Sequence, residues 1–500
     1  MNKMKRVSFA SALAGLLLFS PVMESQAATT NTTQKEILTN STIKTLNKTL
    51  EASTLTTGIS VRDAKTGKSL YTYNAKNLMS TASNMKLLTG SAALSTLGEN
   101  YRFTTTVKTT GKLKKNGTLM GDIYLVGQGD PTLHKSDLTH FAKVLKEKGI
   151  KKISGHVYGD ESWFDNKYLA PGINKADSLT YYGAPVSALA TSPNKEYDTG
   201  TVVVYAKGDK EGKEPKVAFS AKGHLKVVNK AKTVKKGDTT AIKISRKYGT
   251  NKVYVTGKIA EGSKTDKWIS VDDPSKHTMT IFTTELTKAG ITLKNPTYKL
   301  AVTPKKGTTT RITDKSVPLK SIMVPFMKLS NNGIADTLTK TMGKKVFNKG
   351  TNASGVKAIQ TYATAHSVSA KNWSYIDGSG LSHQDKVTAN QMTKFLYHAQ
   401  KEKYYKTLYT SLPVAGNDER MVGGTLRYRF TTADMTNRIV AKTGSINNVR
   451  TLSGYMTQKD GDPLIVSVLT SGSSSTALID SVVTTIINDD VVVTAKKTKQ

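Results

Sequence analysis

The chain of 500 residues contains no cysteine. This excludes disulfide stapling and any thiol nucleophile, so stability has to come from packed cores. Acid is scarce too: 37 Asp and Glu stand against 73 Lys and Arg, for a formal net charge of +36. A field of that sign favours an anionic partner through long-range attraction. It does not indicate nucleic acid, because no helix-turn-helix or aromatic RNA-binding signature accompanies it. A lysine-rich surface that serves solubility alone is the plain alternative. Beyond residue 27 there is no apolar run long enough to span a membrane, and there is no solenoid-type repeat and no long low-complexity linker. Several enzyme classes lack their strings. There is no Gly-x-Ser-x-Gly elbow, the eight histidines form no recognisable set, and His-Glu-x-x-His is absent. A Ser-His-Asp hydrolase and a metal peptidase are therefore disfavoured, and no cofactor or metal is called for.

Residues 1–27 read as a secretory leader. Lys3, Lys5 and Arg6 precede an apolar run from Val7 to Val22, and Ser25-Gln26-Ala27 puts small residues at the cleavage positions. The run is too short, and too interrupted by serine and Pro21, for a comfortable span, so no integral membrane segment is expected after cleavage. The expected location is secreted, extracytoplasmic and cell wall associated, where wall polyanions are the first anionic partners the chain would meet. What remains is too long for one ordinary core, so two or three domains are expected.

Three short stretches stand in order: Ser83-Asn84-Met85-Lys86, Ser330-Asn331-Asn332 and Lys442-Thr443-Gly444. They offer a nucleophile with a nearby amine, a hydroxyl-amide relay, and a cationic strand able to hold a carboxylate. Singly they are weak, because Ser-x-x-Lys recurs at Ser41, Ser192 and Ser354, and Lys-Thr-Gly recurs at Lys65. Context separates the copies. Ser192 precedes Pro193 in a turn-like run, whereas Ser83 opens a stretch to Gly98 with the pattern of a capped amphipathic helix. Ser83 and Lys86 then share a face at the helix end. Lys65-Thr66-Gly67 lies between two alternating runs and reads as a hairpin turn. Lys442 follows Arg438-Ile439-Val440-Ala441 and precedes further strand-like runs, so it rides on a larger sheet whose backbone edge can pair with an extended peptide. By itself, Ser330-Asn331-Asn332 reads more readily as a helix cap before Ile334 to Leu338. Its place between the other two stretches favours the catalytic reading.

From Tyr101 to about Thr310 the pattern changes to many short alternating strands. If the three stretches build one site, this block is an insertion. The expected boundaries are 28–100 and 312–500 for the catalytic domain, 101–204 and 283–311 for an inserted domain, and 205–282 for a nested basic β domain. The last residues, Val491 to Gln500, run from an apolar strand into a lysine-rich tail.

With these stretches placed, the chain resembles the class C low-molecular-mass penicillin-binding proteins, the D-alanyl-D-alanine carboxypeptidase/endopeptidase family. The likeness covers nearly the whole mature chain and includes Tyr124 to Leu133, Tyr182 to Leu189, Asp377-Gly378-Ser379-Gly380-Leu381-Ser382 and Gly424-Thr425-Leu426-Arg427. It implies a multidomain α/β fold: a transpeptidase-like catalytic domain, an antiparallel sheet with helices on its faces, interrupted by two mainly β inserted domains. It also implies an exported carboxypeptidase that trims peptidoglycan stem peptides and is acylated by β-lactam antibiotics, with endopeptidase action as a second activity. Two departures from the family pattern are His383, where arginine is frequent, and Ser445, where threonine is common. An imidazole at 383 would change stem recognition or the pH profile, against the plain reading of a surface loop residue with no contact.

In the expected chemistry Lys86 takes the Ser83 proton. Burial and the second cation, Lys442, would both push its amine towards neutrality. Ser330 passes a proton to the leaving D-alanine and Asn332 binds the substrate amide. Lys442, Thr443, Gly444 and Ser445 form the carboxylate-holding strand, and the amides of Ser83 and Ser445 serve as an oxyanion hole. Leu381 and His383 are candidate substrate contacts. Trp163 and Asp165 are candidates for a pocket holding the amino end of a stem peptide, with core packing the other reading for Trp163. A serine β-lactamase would use similar stretches, but the Glu-x-x-Leu-Asn string of class A is absent. A wall-binding protein with little hydrolytic activity is the remaining alternative.

Overall fold

A computed structural model describes residues 37–366 and 368–489. The expected leader (1–27) and the tail from Val491 lie outside the described residues. Among the described residues no helix is long and apolar enough to cross a membrane.

A five-stranded antiparallel sheet carries the site, in the order Ser69–Tyr73, Thr56–Asp63, Pro463–Ser471, Val449–Thr457, Ile439–Ile446. Its strands alternate with a period of two, as strands covered on both faces do when the two cores differ. Leu464, Val466 and Val468 point to one core with Leu46 and Leu50 of the helix Asn40–Glu51 and with Ile479, Val482 and Val483 of the helix Ala477–Ile487. Ile465 and Leu469 point to the other, which holds the helices Met85–Leu97, Leu319–Lys328, Asn332–Phe347 and Ala389–Ala399. Among the described residues the first and last strands thus pair, Thr56–Asp63 with Pro463–Ser471.

The segment between the first and second stretches makes its own sheets. A mixed five-stranded sheet runs Tyr298–Leu300, Val157–Asp160, Ile123–Gly127, Thr104–Thr110, Thr308–Lys315. Its core includes Phe141 and Leu145 of the helix Lys135–Glu147 and Phe282 and Leu286 of the helix Pro274–Lys288. A separate β cluster is built on Thr201–Lys207 and Lys252–Ala260. Two expected boundaries need correction. The 282/283 division cuts the helix Pro274–Lys288, whose apolar side packs with the larger sheet, and the 311/312 division cuts the strand Thr308–Lys315, which pairs with Thr104–Thr110. The hairpin turn expected at Lys65-Thr66-Gly67 is present between Thr56–Asp63 and Ser69–Tyr73.

Candidate active site

Ser83 sits in a single 3-10 turn, Ala82–Asn84, that runs directly into the helix Met85–Leu97. The helix is not amphipathic as its spacing predicts: every residue from Met85 to Leu94 is buried. It is a central helix, walled by the sheet and by the helices on its other sides, and a helix apolar all round belongs in such a place. Its one long polar side chain, Lys86, is carried inside with it and is 0% exposed.

Lys86 Nζ lies 2.9 Å from Ser83 Oγ, 2.6 Å from Asn332 Oδ1 and 2.7 Å from the Ser379 carbonyl. Burial pushes its amine down to about 7, against the opposing pull of Asp377, Asp336 and Asp385. Burial also raises two of these acids, Asp336 to about 8 and Asp385 well above the usual carboxylate range with Asp377 adding to it.

Asn332 opens the helix Asn332–Phe347, and Asn331 caps it, accepting from the Ile334 amide at 2.9 Å. The helix-cap reading is met by Asn331, while Ser330 and Asn332 on either side of it line the cleft. Ser330 adopts φ +59, a left-handed conformation that costs a non-glycine residue on the order of 1–3 kcal/mol. The turn brings its Oγ to 2.9 Å from Lys442 Nζ.

Lys442, also 0% exposed, bonds the Thr443 carbonyl at 2.7 Å as well. Burial first, then the charge of Lys86, lowers its amine well below the usual lysine value. Burial thus dominates at both lysines, and the mutual repulsion adds to it at Lys442. The strand Ile439–Ile446 is the edge of the sheet. A bridge between Val414 and Val440 and a bond from the Ala441 amide to Pro413 cover its first half. Among the described residues no strand pairs with the outer edge from Lys442 onward. Asn84 ties this strand to the Ser83 turn, its buried side-chain amide lying 2.8 Å from the Lys442 carbonyl and 2.7 Å from the Ser453 hydroxyl.

Ser83, Ser330, Asn332, Thr443 and Ser445 line a cleft of about 590 Å³, and Leu381 and His383 also line it. Trp163 and Asp165 do not line it, which corrects their assignment. Asp165 is ion-paired at 2.8 Å with buried Lys340, while Trp163 packs beside Phe164 and Val186 with Lys344 over its ring at 5.2 Å. The Asp165 amide also bonds the Gly350 carbonyl, so this loop fastens the inserted segment to the turn after the helix Asn332–Phe347.

Other contributors were not singled out from the sequence. Asp377 accepts from the amides of Ser379, Gly380 and Ser382, folding the loop whose Ser379 carbonyl holds Lys86. Asp-x-Ser is a side-chain turn signal that would have flagged it. Tyr181, Tyr182, Asp177 and Asp198 form a cleft wall from the inserted segment, and the Tyr182 carbonyl accepts from Asn332 Nδ2 at 2.8 Å. Thr425 bonds Thr443 at 2.7 Å between hydroxyls.

Two buried amines, each pushed down by burial and each bonded to a serine hydroxyl that lines one cleft, belong to a serine-type hydrolase. The match to known proteins narrows the class. The D-Ala-D-Ala carboxypeptidase 3 (S13) family matches residues 41–496, and the chain belongs to that family. It is 33% identical over 423 residues to the D-alanyl-D-alanine carboxypeptidase of Actinomadura sp. strain R39, covering 84% of this chain and 78% of that one. The crystal structure of penicillin binding protein 4 from Haemophilus influenzae has the same fold, with a TM-score of 0.74 at 22% identity over 88% of this chain and 97% of that one. The same Haemophilus protein in complex with a β-lactam matches with a TM-score of 0.70 over the same shares.

Proposed function

We propose that this protein is an exported D-alanyl-D-alanine carboxypeptidase that hydrolyses peptidoglycan stem peptides through an acyl-enzyme at Ser83, and that β-lactams acylate the same oxygen. The observation that carries the mechanism is the set of partners around Lys86 Nζ. Asn332 Oδ1 and the Ser379 carbonyl are acceptors only, so they take the two N–H bonds of a neutral amine and turn its lone pair to the third partner, Ser83 Oγ. With its amine near 7, Lys86 is the base.

Ser83 Oγ attacks the carbonyl of the penultimate D-alanine and gives its proton to Lys86. The oxyanion faces the amides of Ser83 and Ser445, each such donor being worth roughly 3 kcal/mol. The close approach of strand to turn supports this pairing: a Cβ on Gly444 would stand 3.0 Å from the Ser83 nitrogen. An ester forms, the peptide C–N bond breaks, and the departing amine takes a proton from Ser330, which is bonded to Lys442. Thr443, Ser445 and the N–H groups of the Lys442 amine hold the terminal carboxylate. Water then adds to the ester and Ser83 is regenerated.

The open edge at Lys442 suits an extended peptide, and endopeptidase action on a cross-linked stem uses the same attack with a longer leaving group. The chain from Thr104 to Lys315 is read as two inserted, mainly β domains, one nested in the other, with the first supplying a wall of the cleft. Secretion and a wall location rest on the leader signature and on the substrate class.

The test is mass spectrometry of the protein after exposure to a labelled penicillin. The label is expected on the peptide containing Ser83 and absent from a Ser83→Ala variant; label at Ser41, Ser192 or Ser354 would overturn the assignment. Adduct lifetime separates the neighbouring chemistries, with hours expected here and milliseconds for a β-lactamase.

A further inference from the structure

The β cluster around Lys252–Ala260 carries a feature that its own packing does not need. Lys226–Asn229 and Lys232–Val234 follow one another along one side of the central strand Lys252–Ala260, both parallel to it, and Ala241–Arg246 runs antiparallel on the other side. Val253, Val255, Ile259 and Ile244 face inward to the core shared with Val202 and Val204. The opposite face carries half-buried Val228, Tyr254 and Thr256 among exposed lysines. On it the register sets Lys226 directly beside Lys252 and Lys232 directly beside Lys258, while Lys243, opposite Thr256, is diagonal to Lys258. All five lysines are exposed, and none of them makes an ion pair with another described residue. Like charges opposite one another oppose strand pairing. A sheet that places two such pairs on one face without acids between them breaks a rule of local consistency, and such breaks concentrate where a surface has a task.

We infer that this face docks a linear phosphodiester polymer of the cell wall. The two lysine pairs are six residues apart along the strands, roughly 20 Å at about 3.3 Å per residue, so the charge forms a stripe rather than a point. A stripe suits a chain of phosphates, each neutralised in turn, and it relieves the lysine–lysine repulsion that the empty face retains. Anionic lipid is the weaker match, because none of the exposed large hydrophobic side chains belongs to this face and there is nothing to insert between acyl chains. Duplex or single-stranded nucleic acid is weaker too, since the face offers only half-buried Tyr254 in place of a row of stacking rings. The choice of a wall polymer rests on the reading of the protein as a wall enzyme. Docking would hold the catalytic cleft near its substrate without using any residue of that cleft.

The experiment compares the full chain with a Lys226→Gln, Lys232→Gln, Lys252→Gln, Lys258→Gln variant for sedimentation with purified wall, with wall stripped of its phosphodiester polymer, with phosphatidylglycerol vesicles and with duplex DNA, across a salt series. The expected result is about tenfold weaker association of the variant with intact wall and a flatter salt dependence, because every phosphate left without a lysine keeps its counterion and so drops out of the slope. The unmodified protein should fall to the variant's level on stripped wall. The variant should also melt at or above the temperature of the parent. If the fourfold change prevents folding, Lys226→Gln with Lys252→Gln alone carries the same comparison. Equal sedimentation of parent and variant, undiminished binding to stripped wall, or a loss confined to vesicles or DNA would each overturn the assignment. Penicillin labelling of Ser83 on the same samples reports separately on catalysis: labelling with no lysine dependence would sink the docking alone, and docking with no label at Ser83 would sink the catalytic reading alone.

Discussion

The chain contains Lys-Thr-Gly twice, and the two copies do opposite things. Lys65-Thr66-Gly67 turns a hairpin: the Lys65 side chain is 67% exposed, its amine pairs with Asp462 at 3.4 Å, and Gly67 supplies φ +76 at the corner. Lys442-Thr443-Gly444 lies extended on a sheet edge, with Lys442 fully buried against Ser330 Oγ. Three identical residues make a solvated corner in one place and a candidate carboxylate cradle in the other. The chemistry therefore comes from burial, from the unpaired edge and from the opposing hydroxyl, and the triplet only supplies groups for those circumstances to act on.

Removing the amine should break the comparison most sharply. Lys442→Ala takes away the amine bonded to Ser330 Oγ and, in the proposed mechanism, a donor to the substrate carboxylate, and the rate constant for acylation by a labelled penicillin is expected to fall by about 10²–10⁴. Loss of less than about tenfold would mean that the buried amine is not part of the reaction.

The glycines should separate next. A Cβ at Gly444 would meet Thr451 Oγ1 at 2.1 Å, Ala82 Cβ at 2.9 Å and the Ser83 nitrogen at 3.0 Å, so Gly444→Ala has to push the strand away from the nucleophile turn. Misplacing reacting groups by about an ångström costs on the order of 10² in rate, and that drop in acylation is expected. Gly67→Ala meets the Tyr397 ring and an unfavourable φ instead. It should destabilise by about 1–3 kcal/mol in denaturant unfolding and leave acylation of the folded fraction unchanged.

A gentler probe is pH. Burial lowers Lys86, so its neutral form predominates above about 7 and is lost as pH falls through that value. The acylation rate constant should rise about tenfold per pH unit below the midpoint and flatten above it. A flat profile from about pH 5 to about pH 9 would remove Lys86 from the role of base.

Much of this site could be read before any coordinates. The order of the three stretches, the hairpin at Lys65 and the strand under Lys442 depend on short-range pattern, which sequence carries well. What escaped depends on contacts between distant segments. The Met85–Leu97 helix looked one-sided because its spacing cannot report that neighbours cover every side. The Ser379 carbonyl reaches Lys86 across 293 positions, and a backbone oxygen has no sequence signature of its own. Trp163 and Asp165 were candidates for a stem-peptide pocket, yet the partner of Asp165 is Lys340, 175 positions away, which no short-range pattern reports. The boundaries placed at 282 and 311 failed for the same reason, since Thr308–Lys315 pairs with a strand about 200 residues earlier.

The smallest expected effect completes the contrast. Lys65→Ala removes an exposed amine whose ion pair with Asp462 is long at 3.4 Å, and surface pairs of this kind are worth about 0–1 kcal/mol. The backbone of its turn is fixed without it: Asp63 accepts from the Lys65 amide at 2.8 Å and from the Thr66 hydroxyl, and the Asp63 carbonyl accepts from the Gly67 amide at 2.9 Å. Stability in urea and the rate of Ser83 acylation should both match the parent within error. If Lys65→Ala slowed acylation as Lys442→Ala does, the distinction between the two copies would collapse, because the exposed amine has no route to the cleft except through the solvent field. A change that vanished on raising the salt concentration would identify that long-range field as its cause.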